Sequence, residues 1–148
     1  MAVKVVTKAS IVHMEGRLPL EVVLLQQVED IPGVAHILQH FDLGESFALI
    51  MEKSPHTKVI SRDTRWTPVQ DLFDLIVEQG HLEEDLARKV FSQVVETVVD
   101  CHNHGVLHRD IKDENILVDT DTMKIKLIDF GSGCHLGVHH KVFRKFSG

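Results

Sequence analysis

The sequence contains few of the features that mark secreted, membrane-bound or disulfide-rich proteins. Its 148 residues include only two cysteines, Cys101 and Cys134. This is too few for a disulfide framework, so we expect a reducing setting, cytoplasmic or nuclear. No apolar run is long enough to cross a bilayer, and the N-terminus lacks the charged-then-apolar pattern of a secretion signal. We therefore expect no membrane partner.

The composition is that of a globular protein with a mild excess of acidic residues. Hydrophobic residues make up 43% and charged residues 26% of the chain, and the net charge is −6. These proportions suit one ordinary domain with its own core rather than a disordered chain. The acidity argues against nucleic acid as the main partner and permits a basic one.

Two neighbouring stretches, 108–117 and 128–131, concentrate side chains that can bind metal ions and phosphates: Asp110, Lys112, Asn115 and Asp129. The apolar runs Ile116–Val118 and Ile125–Ile128 predict two strands, and the polar residues 119–122 between them predict a tight turn. Such a hairpin holds Asn115 at one end and brings Asp129 back beside it. Carboxylate and amide oxygens at this place suit Mg²⁺.

The same stretches resemble the protein-kinase signature, in which H-R-D-L-x-x-x-N is followed by D-F-G. Ile111 replaces the leucine of that pattern. In this interpretation Asp110 accepts the proton of a hydroxyl, and Lys112 supplies a positive charge for a phosphate. The alternative, an ordinary polar loop beside a hairpin, does not account for the spacing of the two motifs.

The remaining periodicities predict strands at residues 1–6, 35–41 and 46–52 and helices at 18–28, 69–79 and 83–104. Lys4 lies on the first strand and Glu21 on the first helix. Each is a solvated surface charge in the simplest interpretation. In a kinase the strand lysine pairs with a helix carboxylate, so Glu21 is the predicted partner of Lys4.

A zinc site is a competing interpretation of the cysteines and histidines. The potential ligands are Cys101, His102, His104, Cys134, His135, His139 and His140. Their spacings do not match a structural zinc pattern, and Cys101 falls on the apolar stripe of the last predicted helix. Zinc is therefore the weaker hypothesis.

Several longer stretches are similar to Pim-type serine/threonine protein kinases, namely 20–25, 68–74, 101–103, 105–117 and 127–133. The resemblance implies an α+β, two-lobed kinase fold with ATP and Mg²⁺ as cofactors. It implies that Lys4, braced by Glu21, holds the α- and β-phosphates, that Asp110 and Lys112 act in catalysis, and that Asn115 and Asp129 bind the metal. The nucleotide-contacting set would be Ala2, Lys4, Met51, Glu52, Ser54, Glu114, Leu117 and Ile128.

The family phosphorylates Ser or Thr in Arg- and Lys-rich protein segments, and the sequence offers an acidic surface for them. The residues are Asp71, Asp74, Glu78, Asp113 and Glu114. The first three fall at i, i+3 and i+7 of a predicted helix and would share one face. Carboxylates grouped in this way capture guanidinium groups. The alternative is a solvated helix face. We expect a monomer whose partners are basic protein substrates.

The sequence also departs from the family pattern. The Gly-rich loop and the A-P-E motif are absent, so the predicted kinase fold is incomplete. It would comprise a partial small lobe at 1–53, a hinge and inserted loop at 54–67, and a partial large lobe at 68–148. The hinge proline is one position late, at Pro55, and the tail offers only Ser147 for phosphorylation. A non-catalytic kinase-like chain, binding partners or inactive, is therefore the alternative function.

Overall fold

The computed structural model of the protein describes residues 2–52 and 69–137. The helices are α1 (Leu20–Gln27), α2 (Leu72–Gln79) and α3 (Glu84–Asn103). The strands are β1 (Ala2–Thr7), β2 (Met14–Glu15), β3 (Leu18–Pro19), β4 (Ile37–Asp42), β5 (Ser46–Met51), β6 (Val69–Asp71), β7 (Val106–Leu107), β8 (Ile116–Asp119), β9 (Lys124–Leu127) and β10 (Cys134–His135). Short 3-10 turns occupy Lys8–Ser10, Asp113–Asn115 and Phe130–Ser132.

The first sheet carries Lys4 and has the order β1-β5-β4, with antiparallel pairing throughout. Side chains alternate across β1: Val3 and Val5 are exposed, whereas Lys4 and Val6 are half-buried. This two-residue period places Lys4 on the inner face of the sheet. Its register partner on β5 is Leu49, which is fully buried.

Helix α1 begins two residues later than predicted. Leu18 and Pro19 form β3, which pairs with β2 across a turn in which Gly16 has a φ of +61°. The proline therefore ends a small hairpin, and the helix follows it from Leu20. Apolar residues make up most of α1, and its buried side chains belong to two hydrophobic clusters.

The second sheet, β6-β8-β9, contains the predicted hairpin of the metal-binding stretches. Its β8 and β9 strands pair in register from Ile116 with Leu127 to Asp119 with Lys124. The prediction of a helix from Val69 is wrong in its first turn. Residues Val69–Asp71 instead pair with β8, and α2 begins at Leu72 with Asp71 as its N-cap.

Helix α3 packs against β7 and β9 and supports the polar stretch that follows it. Val90 and Cys101 of the predicted apolar stripe are buried, whereas the flanking Phe91 is 69% exposed. The helix ends at Asn103, and Gly105, with a φ of +74°, follows the cap. Glycine adopts this left-handed conformation without a steric penalty.

The main hydrophobic core draws on both halves of the chain. Its buried members include Leu24, Leu25 and Val28 from α1 and its end, together with residues of α2, α3 and β7 to β9. A second cluster contains Val22, Phe47 and Leu49, and Ile37 and Met51 pack against both clusters. Among the described residues, no helix has the length and apolar character needed to cross a membrane.

Candidate active site

Lys4, Glu21 and Asp129 meet although they are distant in sequence. The Nζ of Lys4 donates to Glu21 Oε1 at 2.6 Å and to Asp129 Oδ1 at 2.9 Å. Burial alone would lower the pKa of Lys4, but the hydrogen bonds and charges of Glu21 and Asp129 outweigh it and raise the pKa. Burial would likewise raise the pKa of Asp129, and Lys4 holds it below its ordinary value. The raised pKa of Lys4 and the lowered pKa of Asp129 therefore favour the charged form of both groups at neutral pH.

The backbone presents Asp129 in an uncommon conformation. Its φ is +63°, in the left-handed region, and its Oδ1 also accepts the N–H of Gly131 at 3.1 Å. The next residue, Phe130, is 1% exposed and anchors the turn in the main core. A non-glycine residue in this region costs about 1–2 kcal/mol, a cost that surrounding packing must offset.

A second polar cluster surrounds Asp110. The amide Nδ2 of Asn115 donates to the Asp110 carbonyl oxygen at 2.8 Å and to Asp110 Oδ2 at 2.9 Å. Lys112 Nζ lies 3.3 Å from Asp110 Oδ2 and 3.2 Å from Glu114 Oε2. Glu114 first, and then Asp110, raise the pKa of Lys112. The cluster thus holds the Asp110 carboxylate beside the positive charge of Lys112.

The two clusters are joined by the backbone and by His108. The N–H of Ile128 donates to the Asn115 carbonyl oxygen at 3.0 Å. His108 Nδ1 accepts the N–H of Asp110 at 3.2 Å, and its Nε2 lies 2.9 Å from the Ile128 carbonyl oxygen. A backbone N–H only donates, so Nδ1 carries no proton and Nε2 donates to Ile128. The sequence interpretation gave His108 no role, although it lies within the motif.

Asn115 and Asp129 fit a magnesium site by their chemistry. The Asn115 amide nitrogen is directed at Asp110, so its oxygen is the atom left for a cation. Asp129 contributes a carboxylate on the adjoining segment. Mg²⁺ is commonly held by one or two such oxygens together with phosphates and water. Residues 2–52 and 69–137 contain no group of three or more His, Cys, Asp or Glu side chains that could hold a metal, and two of the potential zinc ligands, His139 and His140, lie outside these ranges.

Three of the other predicted nucleotide-contacting residues lie on strands, whereas Glu52, Glu114 and Ile128 lie outside the strands. Met51 ends β5 opposite Ala2 of β1, and Leu117 lies on β8. The side chain of Glu52 accepts from Lys126 Nζ at 2.7 Å. Ser54 and the predicted insertion lie outside the described residues.

Asp71 and Asp74 lie at the start of α2 and Glu78 lies near its end, so the three predicted acidic residues do not form one helical face. Asp71 is the N-cap, and its Oδ1 accepts the N–H of Asp74 at 2.7 Å. Glu78 Oε2 accepts from Gln70 at 3.2 Å. Helix α2 also contacts the 3-10 turn Asp113–Asn115. The correction follows from the later helix start, which places Asp71 outside the helix.

The fold and these two clusters identify the class of protein. The chain matches the family described as "Protein kinase domain" over residues 1–148, and it belongs to that family. The mixed helices and strands agree with the predicted partial kinase fold. Members of this family generally use ATP and a divalent metal.

The most informative relatives are serine/threonine kinases. The chain is 44% identical over 126 residues to serine/threonine-protein kinase pim-2 of Danio rerio, covering 80% of this chain and 37% of that protein. It is 39% identical over 116 residues to serine/threonine-protein kinase prk-2 of Caenorhabditis elegans, covering 78% of this chain and 24% of that protein. The chain thus spans 24% to 37% of the length of these relatives. They confirm the predicted Pim-type resemblance.

Proposed function

We propose that this chain binds Mg-ATP and transfers its γ-phosphate to Ser or Thr hydroxyls of protein substrates. The observation that carries the proposal is the pairing of Lys4 with both Glu21 and Asp129, at 2.6 Å and 2.9 Å. It brings together a cation for phosphates, the carboxylate that orients it, and a metal ligand. Kinase catalysis consists mostly of positioning and charge neutralisation, which such a cluster supplies.

Each residue has a distinct part in this proposal. Lys4, oriented by Glu21, binds the α- and β-phosphates, and Asn115 and Asp129 hold Mg²⁺. The bound metal would neutralise phosphate charge. Asp110, positioned by Asn115, orients the substrate hydroxyl and accepts its proton. Lys112, which already lies beside Asp110, compensates negative charge on the phosphoryl group.

Binding is tested by thermal unfolding with and without Mg-ATP. A ligand at 100 times its Kd stabilises the folded state by about 2.7 kcal/mol, so the wild type should gain several degrees. Asp129→Asn, compared with its own ligand-free melting temperature, should gain much less. Leu43→Ala, in the exposed turn between β4 and β5, is the matched control and should respond as the wild type does. Absence of any shift in the wild type would leave the non-catalytic alternative.

Transfer is tested separately with radiolabelled ATP and a Ser-containing peptide. Asp110→Asn keeps the shape of the side chain but removes the base. We expect it to bind Mg-ATP normally while transferring phosphate at least about a hundredfold more slowly. Equal transfer by Asp110→Asn and the wild type would contradict the proposed role of Asp110.

We further propose that the substrates are basic near the phosphorylated residue. Support comes from the packing of β6 and α2, which carry Asp71 and Asp74, against the turn Asp113–Asn115. Asp71→Asn with Asp74→Asn removes two charges, and Asn caps helices as well as Asp does. This variant should bind an Arg-rich peptide about tenfold more weakly and Mg-ATP unchanged. Equal affinity for the peptide would contradict a role for the acidic group.

The remaining proposals concern the whole protein. We infer a small lobe at 1–53 and a large lobe at 68–148, joined by 54–67. A monomer is expected, and size-exclusion chromatography with light scattering tests it. Both cysteines are free thiols, which supports a cytosolic or nuclear location.

A further inference from the structure

A cluster of three side chains, Lys126, Glu52 and His36, ties the end of β5 to β9. Lys126 Nζ lies 2.7 Å from Glu52 Oε1, and His36 Nδ1 lies 3.2 Å from Glu52 Oε2. The side chains of Lys126 and Glu52 are 25% and 26% exposed. Both oxygens of the Glu52 carboxylate are therefore engaged, by side chains from two other segments of the chain.

Backbone hydrogen bonds hold the same three segments together. The Glu52 N–H donates to the His36 carbonyl oxygen at 2.8 Å, and the His36 N–H donates to Glu52 Oε1 at 3.1 Å. Lys126 Nζ also donates to the Val34 carbonyl oxygen at 3.1 Å. Glu52 is thus fixed through both its backbone and its side chain.

The adjoining strands make this anchor rigid. Residues 33–35 run alongside β9, where Ala35 N–H donates to the Leu127 carbonyl oxygen at 3.0 Å and Leu127 N–H to Gly33 at 2.7 Å. Val34 and Leu127 are both buried in the main core. The cluster therefore connects the residue after β5 to the strand that leads into Asp129.

The electrostatics favour the ionised form of Glu52. Burial alone would raise the pKa of Glu52, but Lys126 and His36 outweigh it and lower the pKa. His36 Nε2 is buried and has no hydrogen-bond partner among the described residues. The cluster consequently has one carboxylate shared by two nitrogen groups.

We propose that Lys126 and His36 are positioning residues that fix the Glu52 peptide for recognition of the adenine base. The inference rests on the proposed function and on the predicted place of Glu52 among the nucleotide-contacting residues, where its backbone would meet the adenine base. Lys126 lies on β9, three residues before Asp129, yet its ammonium group binds Glu52 and the Val34 carbonyl oxygen. Removal of the Lys126 ammonium group should therefore weaken recognition of the base and leave phosphate binding unchanged.

The test compares two probes that share their phosphates, Mg-ATP and Mg-tripolyphosphate, by isothermal titration calorimetry. Lys126→Met should weaken Mg-ATP about tenfold, the effect of losing one charge-assisted hydrogen bond. Its affinity for Mg-tripolyphosphate should equal that of the wild type. Lys126→Arg should restore Mg-ATP binding, because it keeps the charge. Lys4→Met, by contrast, should weaken both probes.

Glu52→Gln is the second variant, and it breaks the same ion pair from the other side. It keeps the proposal testable if Lys126→Met fails to fold. It keeps the side-chain shape and the peptide carbonyl, and it should show the same selective loss. Equal weakening of both probes would assign the cluster a merely structural role and overturn the proposal. Normal Mg-ATP binding by Lys126→Met would overturn it too. Failure of the wild type to bind Mg-ATP would overturn the proposed function and this inference together.

Discussion

His108 organises the candidate site through its two ring nitrogens. It accepts from Asp110 and donates to Ile128, the residue before Asp129. Its ring also packs edge-on against Phe130, with centroids 4.6 Å apart. One neutral imidazole therefore sets the backbone of both motifs, and protonation of Nδ1 would break the first hydrogen bond.

The folded state should lose stability below about pH 6.5 because of His108. Burial lowers the pKa of this imidazole in the folded state, so the unfolded chain binds a proton more readily. The contribution is fully present above the unfolded pKa of about 6.5 and is lost as the pH falls towards the folded pKa. The loss is at most about 1.4 kcal/mol per pH unit. Urea unfolding at pH 7.5, 6.5 and 5.5 measures it.

His108→Gln is the control for the other ten histidines. It is less stable at pH 7.5, but its stability should fall less steeply between pH 7.5 and 5.5. An identical slope in the wild type and the variant would mean that His108 does not govern the acid sensitivity.

Cys101 and Cys134 should differ sharply in reactivity. Cys101 is 1% exposed, and burial raises the pKa of its thiol to about 11. Thiolate is the reactive form, so almost none is present at pH 8. Iodoacetamide at pH 8 should modify one thiol in the folded protein and two in urea. Cys134→Ser should leave no fast-reacting thiol when folded, and rapid labelling of that variant would refute the prediction.

At the level of single residues, contacts between side chains could be predicted from the sequence where a motif defines the chemistry. The pairing of Lys4 with Glu21 was predicted from the roles that a kinase requires. The hydrogen bonds of His108 were not predicted, because its partner at Ile128 is a backbone carbonyl oxygen. Every residue has such a carbonyl, so the sequence does not indicate which one accepts the bond. The contacts of Lys126 could not be predicted from the sequence for a related reason. An alternating strand predicts that a lysine is on one face, but not that Glu52 lies opposite.

At the level of elements, the predicted start of α2 was wrong because strand pairing between distant segments overrides local periodicity there. The apolar spacing of Val69, Leu72, Phe73 and Ile76 continues through the first turn of the predicted helix. Val69–Asp71 nevertheless form β6, because β8 offers them hydrogen bonds and Asp71 caps the helix that follows. Local periodicity carries no information about β8. The β8–β9 hairpin was predictable because its turn and both strands are contiguous in the sequence.

Gly133 determines how closely α1 approaches the segment after Asp129. A Cβ at Gly133 would lie 2.7 Å from Leu24 Cδ1, 3.0 Å from the Phe130 carbonyl oxygen and 3.1 Å from that of Leu107. Two of these neighbours are backbone atoms and cannot rotate away. Gly133→Ala should therefore cost about 1–3 kcal/mol in the free energy of unfolding, the usual range for overpacking.

An added Cβ at Gly133 should push α1 away, and this should also move Glu21, which lies on α1 and pairs with Lys4. We expect Gly133→Ala to weaken Mg-ATP binding as well as stability. Ser132→Ala is the matched control, since Ser132 is the exposed neighbour. Its effect should be within about 0.5 kcal/mol. If Gly133→Ala and Ser132→Ala unfold at the same urea concentration, the close approach has no energetic importance.

At the level of the whole molecule, the main core crosses the boundary between the two predicted lobes. Leu25 and Val28 come from one side of residues 54–67, and Val106 and Leu127 come from the other. Helix α1 therefore belongs to the packing of both parts. A division drawn from the sequence order of motifs does not reveal this sharing, because it depends on contacts between distant segments.

Leu25→Ala should destabilise the described parts of the chain together. Leu25 is 1% exposed, and removing its buried side chain leaves a cavity that costs about 2–5 kcal/mol. Since the cavity lies in the shared core, amide protons of β5 and of β9 should lose protection against hydrogen exchange by similar amounts. The control is Leu43→Ala, because Leu43 is 60% exposed. This substitution should change the protection of neither β5 nor β9. Loss of protection confined to β5 would show that the two parts unfold independently, and the shared core would then contribute little cooperativity.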